Sequence, residues 1–112
     1  MTKVEAIVRP EKLNQLKLEL EEIDCTGLTV AHVLGAGNQA GYVERHRGTE
    51  YRIRLHPKIR VELVVPDPMV EQVIRTIRNA CITGEIGDGK IFLYRVIDAV
   101  RIRTGVHGNE AL

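Results

Sequence analysis

Residues 58–84 read KIRVELVVPDPMVEQVIRTIRNACITG, and two periods in that stretch decide the fold. Ile59, Val61, Leu63 and Val65 recur every second position, the period of a strand with one buried face. Val70, Val73, Ile74, Ile77 and Cys81 then fall on one stripe of a helix. Asp67 reads as the helix N-cap with Pro68 in the first turn, and Gly84 as the stop.

The first half of the chain repeats this grammar. Val4, Ala6 and Val8 alternate, Leu13, Leu16, Leu20 and Ile23 follow helical spacing, and Leu28, Val30 and Leu34 alternate again. Val8-Arg9-Pro10-Glu11 leads into a stretch ending Cys25-Thr26-Gly27, and Val65-Pro66-Asp67-Pro68 leads into one ending Cys81-Ile82-Thr83-Gly84. The two cysteines set the offset at 56 residues, half the chain. Ile91–Val96 supplies a last strand. Two strand–helix–strand units predict an α+β fold, a ferredoxin-like βαββαβ with an antiparallel sheet and both helices on one face. Ile7, Val33, Val64, Phe92 and Tyr94 would then point away from the helices. Such an apolar face predicts self-association.

With 112 residues the chain makes one domain, 1–112. Its 44% hydrophobic and 28% charged residues describe a globular protein whose core is aliphatic, since there is one Phe and no Trp. A net charge of +1 removes the bulk electrostatic drive of a general nucleic-acid binder. No early apolar run reaches the length of a signal peptide or membrane anchor, because Glu5, Arg9 and Glu11 interrupt the only candidate, and a cytoplasmic protein is expected. Cys25 and Cys81 lack metal or redox spacing and read as buried thiols. His32, His46, His56 and His107 are scattered and there is no Ser, so no catalytic constellation emerges.

The halves differ most between the middle strands, where Asn38–Pro57 carries almost no core pattern. Loops of that length in a small domain serve function or are disordered, and this one is expected to be mobile without a ligand. The alternation of Tyr51, Ile53 and Leu55 with Arg52, Arg54 and His56 allows a hairpin-like protrusion.

Two segments carry anion chemistry. Thr83-Gly84-Glu85-Ile86-Gly87-Asp88-Gly89-Lys90 places glycines where backbone N–H groups can converge on phosphate, with a lysine at the end. Its spacing is not that of a Walker loop, and a tight Asp-Gly turn is the other reading. Arg101-Ile102-Arg103, read as extended, puts both guanidinium groups on one face, where they would clamp phosphate oxygens; a solvated edge strand is the alternative.

Taken together, KVEAIVRPEKL, CTGLTV, RGTEYRI, KIRVELVVPD, TGEIGDGKIF and VRIRTG resemble, in order and spacing along nearly the whole chain, the PII signal-transduction family, the GlnB/GlnK-type regulators of nitrogen metabolism. The resemblance implies a homotrimer of ferredoxin-like subunits with a protruding T-loop at about 37–57 and a C-terminal segment at about 98–112. It implies ATP or ADP in the clefts between subunits. Gly87, Asp88, Gly89, Lys90, Arg101 and Arg103 match the family's phosphate-contacting positions, and Thr29, Glu62 and the backbone of Val64 match those around adenine. Gln39 matches the position that holds Mg²⁺ and 2-oxoglutarate, Lys58 the one that pairs with an oxoacid carboxylate, and Gly87 belongs to the same 2-oxoglutarate set. Asn38 and Ala40 stand where many relatives carry basic residues, so Asn38 cannot supply an Arg–phosphate pair.

In the loop, Arg47 matches the residue that GlnK-type proteins insert into the cytoplasmic mouth of an ammonium transporter. Tyr51 matches the family's uridylylation site, and Thr49 replaces a serine modified in some relatives. The spelling GYVERHRG is similar to archaeal GlnK-type loops, which points to an ammonium transporter as partner and to recruitment at the inner face of the membrane through it. The competing reading is an RNA-binding ferredoxin-like module using Phe92 and Tyr94, although such sheets stack bases on several aromatics.

Overall fold

The computed structural model describes residues 1–36 and 55–112. In chain order they form β1 (Thr2–Val8), α1 (Leu13–Glu22), β2 (Thr29–Gly35), β3 (His56–Val65), α2 (Val70–Cys81) and β4 (Lys90–Arg95), with short 3-10 turns at Pro10–Lys12, Asp67–Met69 and Gly108–Ala111. The strands make one antiparallel sheet in the order β2-β3-β1-β4, the ferredoxin-like arrangement. β3 starts at His56, so His56 and Pro57 belong to the sheet and not to the predicted T-loop.

The predicted stripes of β1, β3, α1 and α2 meet in one core, whereas Val30 and Leu34 of the predicted β2 stripe are exposed, because β2 is an edge strand. Val4, Ala6 and Val8 of β1 and Ile59, Val61, Leu63 and Val65 of β3 are buried under Leu16 and Leu20 of α1 and Val73, Ile77, Ala80 and Cys81 of α2. Register places Ala6 opposite Val61 on one side and Ile91 on the other, so the central strand is held at both edges. Both cysteines are free and buried, and burial pushes the Cys81 thiol up to about 11.

Four details differ from the sequence reading. The structural repeat runs at 57 residues, pairing Val8 with Val65 at the strand ends and Leu13 with Val70 at the helix starts. The cysteines, 56 apart, are not equivalent: Cys81 ends α2, whereas Cys25 follows a left-handed Asp24 (φ 61°) that closes α1. There the Cys25 N–H bonds the Leu20 carbonyl at 2.9 Å and the Asp24 N–H that of Glu21 at 3.0 Å, a Schellman ending in which Asp takes the position usually held by Gly. Asp67 does not cap α2, which begins at Val70; its carboxylate instead accepts the Thr2 hydroxyl at 2.7 Å and pairs with the Met1 ammonium at 3.2 Å. Gly84 lies beyond the helix end, because Ile82 already has extended backbone.

The face away from the helices is mixed and not apolar. Among Ile7, Val64, Phe92 and Tyr94 stand Lys3, Glu5, Arg60 and Glu62. The Tyr94 hydroxyl donates to Glu5 at 3.2 Å, the Lys3 ammonium lies 4.3 Å from the Tyr94 ring centroid, and Arg60 pairs with Glu62 at 3.2 Å. Period-2 reading marks the positions on a face but not which polar side chains share it.

Leu16 is fully buried and Leu18 is exposed on the same helix. Leu16→Ala is expected to lower stability by about 2–5 kcal/mol, and Leu18→Ala to change it by under about 0.5 kcal/mol, in urea unfolding.

Candidate nucleotide site

The turn between α2 and β4 is built around one carboxylate. Asp88 Oδ2 accepts the N–H groups of Thr83 at 2.9 Å and Gly84 at 3.0 Å, and Oδ1 accepts the Thr83 hydroxyl and the Arg9 Nε–H, the latter at 3.2 Å. The Thr83 hydroxyl and then the Thr83 N–H hold the Asp88 carboxyl well below the usual carboxylate range, so it stays ionised. Arg9 also donates to the Ile86 carbonyl at 3.0 Å, which ties the turn to the end of β1.

Lys58 ties the same turn to β3. Its ammonium donates to the Gly87 carbonyl at 2.7 Å, and the residue is only 8% exposed. Burial, with Arg9 nearby, lowers its pKa from the ordinary lysine value. Gly89 passes so close to β1 that an added Cβ would stand 1.7 Å from the Ile7 carbonyl oxygen, and its φ of +101° is itself foreign to L side chains. Of the predicted phosphate residues, Gly87, Asp88, Gly89 and Lys90 are therefore held in one rigid turn. Within it, Asp88 shapes the backbone with a carboxylate already engaged. Arg9 lies within the motif KVEAIVRPEKL, yet no periodicity or spacing singled it out as part of this turn.

The predicted adenine residues gather elsewhere. Thr29 and Glu62 are opposite each other in the β2–β3 register, and with Val64 they line a cleft of about 510 Å³. Thr26, Gly27 and Lys3 complete its wall, and Asn109 and Leu112 of the C-terminal segment border it, residues sequence reasoning did not single out. That volume lies within the range of small-molecule sites and leaves room for more than a planar base.

The tail corrects the extended reading of Arg101 and Arg103. Residues 102–104 form a turn, closed by the Gly105 N–H to the Arg101 carbonyl at 2.7 Å and the Arg101 N–H to the Val106 carbonyl at 2.9 Å. Gly105 (φ +73°) permits the reversal. The two guanidinium groups consequently do not share the face of a strand. Arg101 donates to the Leu112 carbonyl at 3.1 Å, which brings it beside the cleft that Leu112 borders, and Arg103 is exposed.

The two groups of predicted residues thus lie at opposite ends of β1. Lys90 pairs with Ile7, and Val64 with Lys3, four residues away or roughly 13 Å along a strand. Gln39, Arg47 and Tyr51, with Asn38, Ala40 and Thr49, lie outside the described residues. Among the described residues no cluster of three or more His, Cys, Asp or Glu is placed to hold a metal ion, and no helix is long and apolar enough to cross a membrane.

Gly84→Ala, with open space around its Cβ, is expected to cost about 1 kcal/mol for its positive φ. Gly89→Ala is expected to cost about 3 kcal/mol or more, because backbone must move, and urea unfolding of both variants checks the order. Since the folded-state pKa of Asp88 is depressed, its contribution is complete above the unfolded value of about 3.9 and is lost as pH falls below that. The stability gap between wild type and Asp88→Asn is therefore expected to narrow between about pH 5 and pH 2.5 in urea titrations.

The family model described as Nitrogen regulatory protein P-II matches residues 1–106. A protein named Nitrogen regulatory protein P-II from Rhodospirillum rubrum is 47% identical over the whole of both chains. Nitrogen regulatory protein P-II 2 of Methanothermobacter thermautotrophicus is 49% identical over all of this chain and 97% of its own. Nitrogen regulatory protein P-II 1 of Escherichia coli is 44% identical over the full length of both. Identity at this level across an entire 112-residue chain, on the ferredoxin-like fold described above, leaves one assignment: the chain belongs to the nitrogen regulatory protein P-II family, whose members are signal-transduction regulators.

Proposed function

We propose that this protein senses adenine nucleotides at sites formed between subunits of a homotrimer and passes the result to a partner through its T-loop. The observation that carries this reading is the division of the binding chemistry. One chain has a cleft of about 510 Å³ lined by Thr29, Glu62 and Val64, and at the other end of β1 a glycine-rich turn that ends in Lys90 and is tied by Arg9 and Lys58. A head-to-tail ring would bring the cleft and Arg101 of one subunit to the turn of the next. Glu62 and Thr29 then meet the base, while the Gly87–Lys90 turn, Arg101 and Arg103 meet the phosphates.

Mg²⁺ and 2-oxoglutarate follow as ligands of the ATP form, through Gln39, Lys58 and Gly87. The described part of that set fits an oxoacid, because the buried Lys58 ammonium already takes an oxygen acceptor beside Gly87 and retains donors for a carboxylate. The chemistry a hard cation supplies there is charge neutralisation between phosphates and oxoacid. ATP with 2-oxoglutarate would select one T-loop conformation and ADP another, and only the second fits an ammonium transporter through Arg47. Linkage requires that the transporter and 2-oxoglutarate weaken each other's binding. Tyr51 would carry a modification where a uridylylating enzyme is present. The protein works in the cytoplasm and reaches the membrane only with that partner. As a regulator it needs no turnover.

Isothermal titration tests the site. Lys90→Ala and Arg103→Ala are each expected to weaken ATP binding about tenfold or more. Subunits of the two variants, unfolded together and reassembled, are expected to regain wild-type affinity at about one site in four, because a site between subunits draws Lys90 from one and Arg103 from its neighbour. Mixed assemblies that recover no sites would place both residues in one chain's site and end this reading.

A further inference from the structure

Within its own chain, the turn that carries Arg101 and Arg103 has almost no core beneath it. Ile97 and Ile102 are 98% and 101% exposed, and no residue from 98 to 112 is fully buried. What closes it is polar. Asp98 Oδ1 accepts the N–H groups of Ala99 at 2.8 Å and Gly108 at 3.1 Å, while Oδ2 meets His107 Nδ1 at 2.7 Å. The Gly108 N–H also reaches the Ala99 carbonyl at 2.9 Å, and Val100 bridges His107. One carboxylate therefore joins both ends of the segment 98–108, and the arginine turn is the loop between them.

We propose that Asp98 and His107 are positioning residues for nucleotide binding, a clamp that holds the 101–105 turn in the arrangement from which Arg101 and Arg103 reach the phosphates. This rests on the reading of those two arginines as phosphate ligands. A turn without apolar anchorage is ordered by its local hydrogen bonds, and opening the clamp leaves a smaller fraction of chains with the turn correctly closed. Apparent affinity falls in proportion to that fraction. The His107 hydrogen bond, first among its causes, also keeps the Asp98 carboxyl below its ordinary pKa, so the acceptor stays charged.

The test is isothermal titration of full-length protein with ATP and with adenosine, which lacks phosphates. Asp98→Ala and His107→Leu are expected to weaken ATP about three- to tenfold and to leave adenosine within about twofold. His107→Asn, whose amide nitrogen occupies the place of Nδ1, is expected to restore ATP binding to within about twofold of wild type. An Arg101→Ala/Arg103→Ala control separates the two claims. If that control weakens ATP while Asp98→Ala and His107→Leu do not, the clamp is wrong and the nucleotide site stands. Equal losses for ATP and adenosine, or no rescue by His107→Asn, also overturn the clamp, since a merely structural role would produce them. If the control itself binds ATP normally, the phosphate reading fails and takes the clamp with it.

Discussion

Strand β1 is the ruler of this molecule. It is hydrogen-bonded on both edges, to β3 and to β4, and its inward side chains Val4, Ala6 and Val8 are buried beneath two helices. A strand held in that way cannot slip by one residue without turning its apolar set to solvent. Everything attached to its ends is consequently fixed in distance. Arg9 and the Ile7 carbonyl position the glycine-rich turn at one end, and Lys3 borders the Thr29–Glu62 cleft at the other.

Rigidity is distributed unevenly around that ruler. The turn after α2 has three ties: Asp88 to its own backbone, Arg9 from β1 and Lys58 from β3. These ties fix its backbone in advance, which would save a bound anion the ordering cost that weakens binding to loose loops. The tail carrying Arg101 and Arg103 lacks apolar anchorage and relies on local closures. In the proposed ring the preformed turn of one subunit would face this arm of the next, a useful division for a regulator, because the arm's order could then depend on what the turn holds.

The mixed sheet face has a related meaning. Lys3, Glu5, Arg60 and Glu62 pair among themselves and with Tyr94 while Ile7, Val64 and Phe92 stay between them. Apolar area alone would let subunits associate in many registers. In the proposed homotrimer, paired charges set among it would penalise misaligned contacts and so favour one geometry of association.

Much of the fold was legible because apolar residues announce themselves by period. The alternation in β1 and β3 and the stripes of α1 and α2 name the core residues, and six short motifs in fixed order name the family. Polar side chains have no period. That Asp67 binds Thr2 instead of capping α2, that Arg9 and Lys58 converge on one turn, and that the 101–105 segment curls instead of extending are settled by groups distant in sequence or by a single glycine's backbone. Arg9 and Asp88 are 79 positions apart, and Lys58 and Gly87 are 29 apart. By itself the chain's order of residues determined the core stripes of β1, β3, α1 and α2 and which relatives share them. The tertiary structure decided where each charge is spent, because hydrogen bonds are short and directional and their partners exist only once the sheet has brought the two halves together.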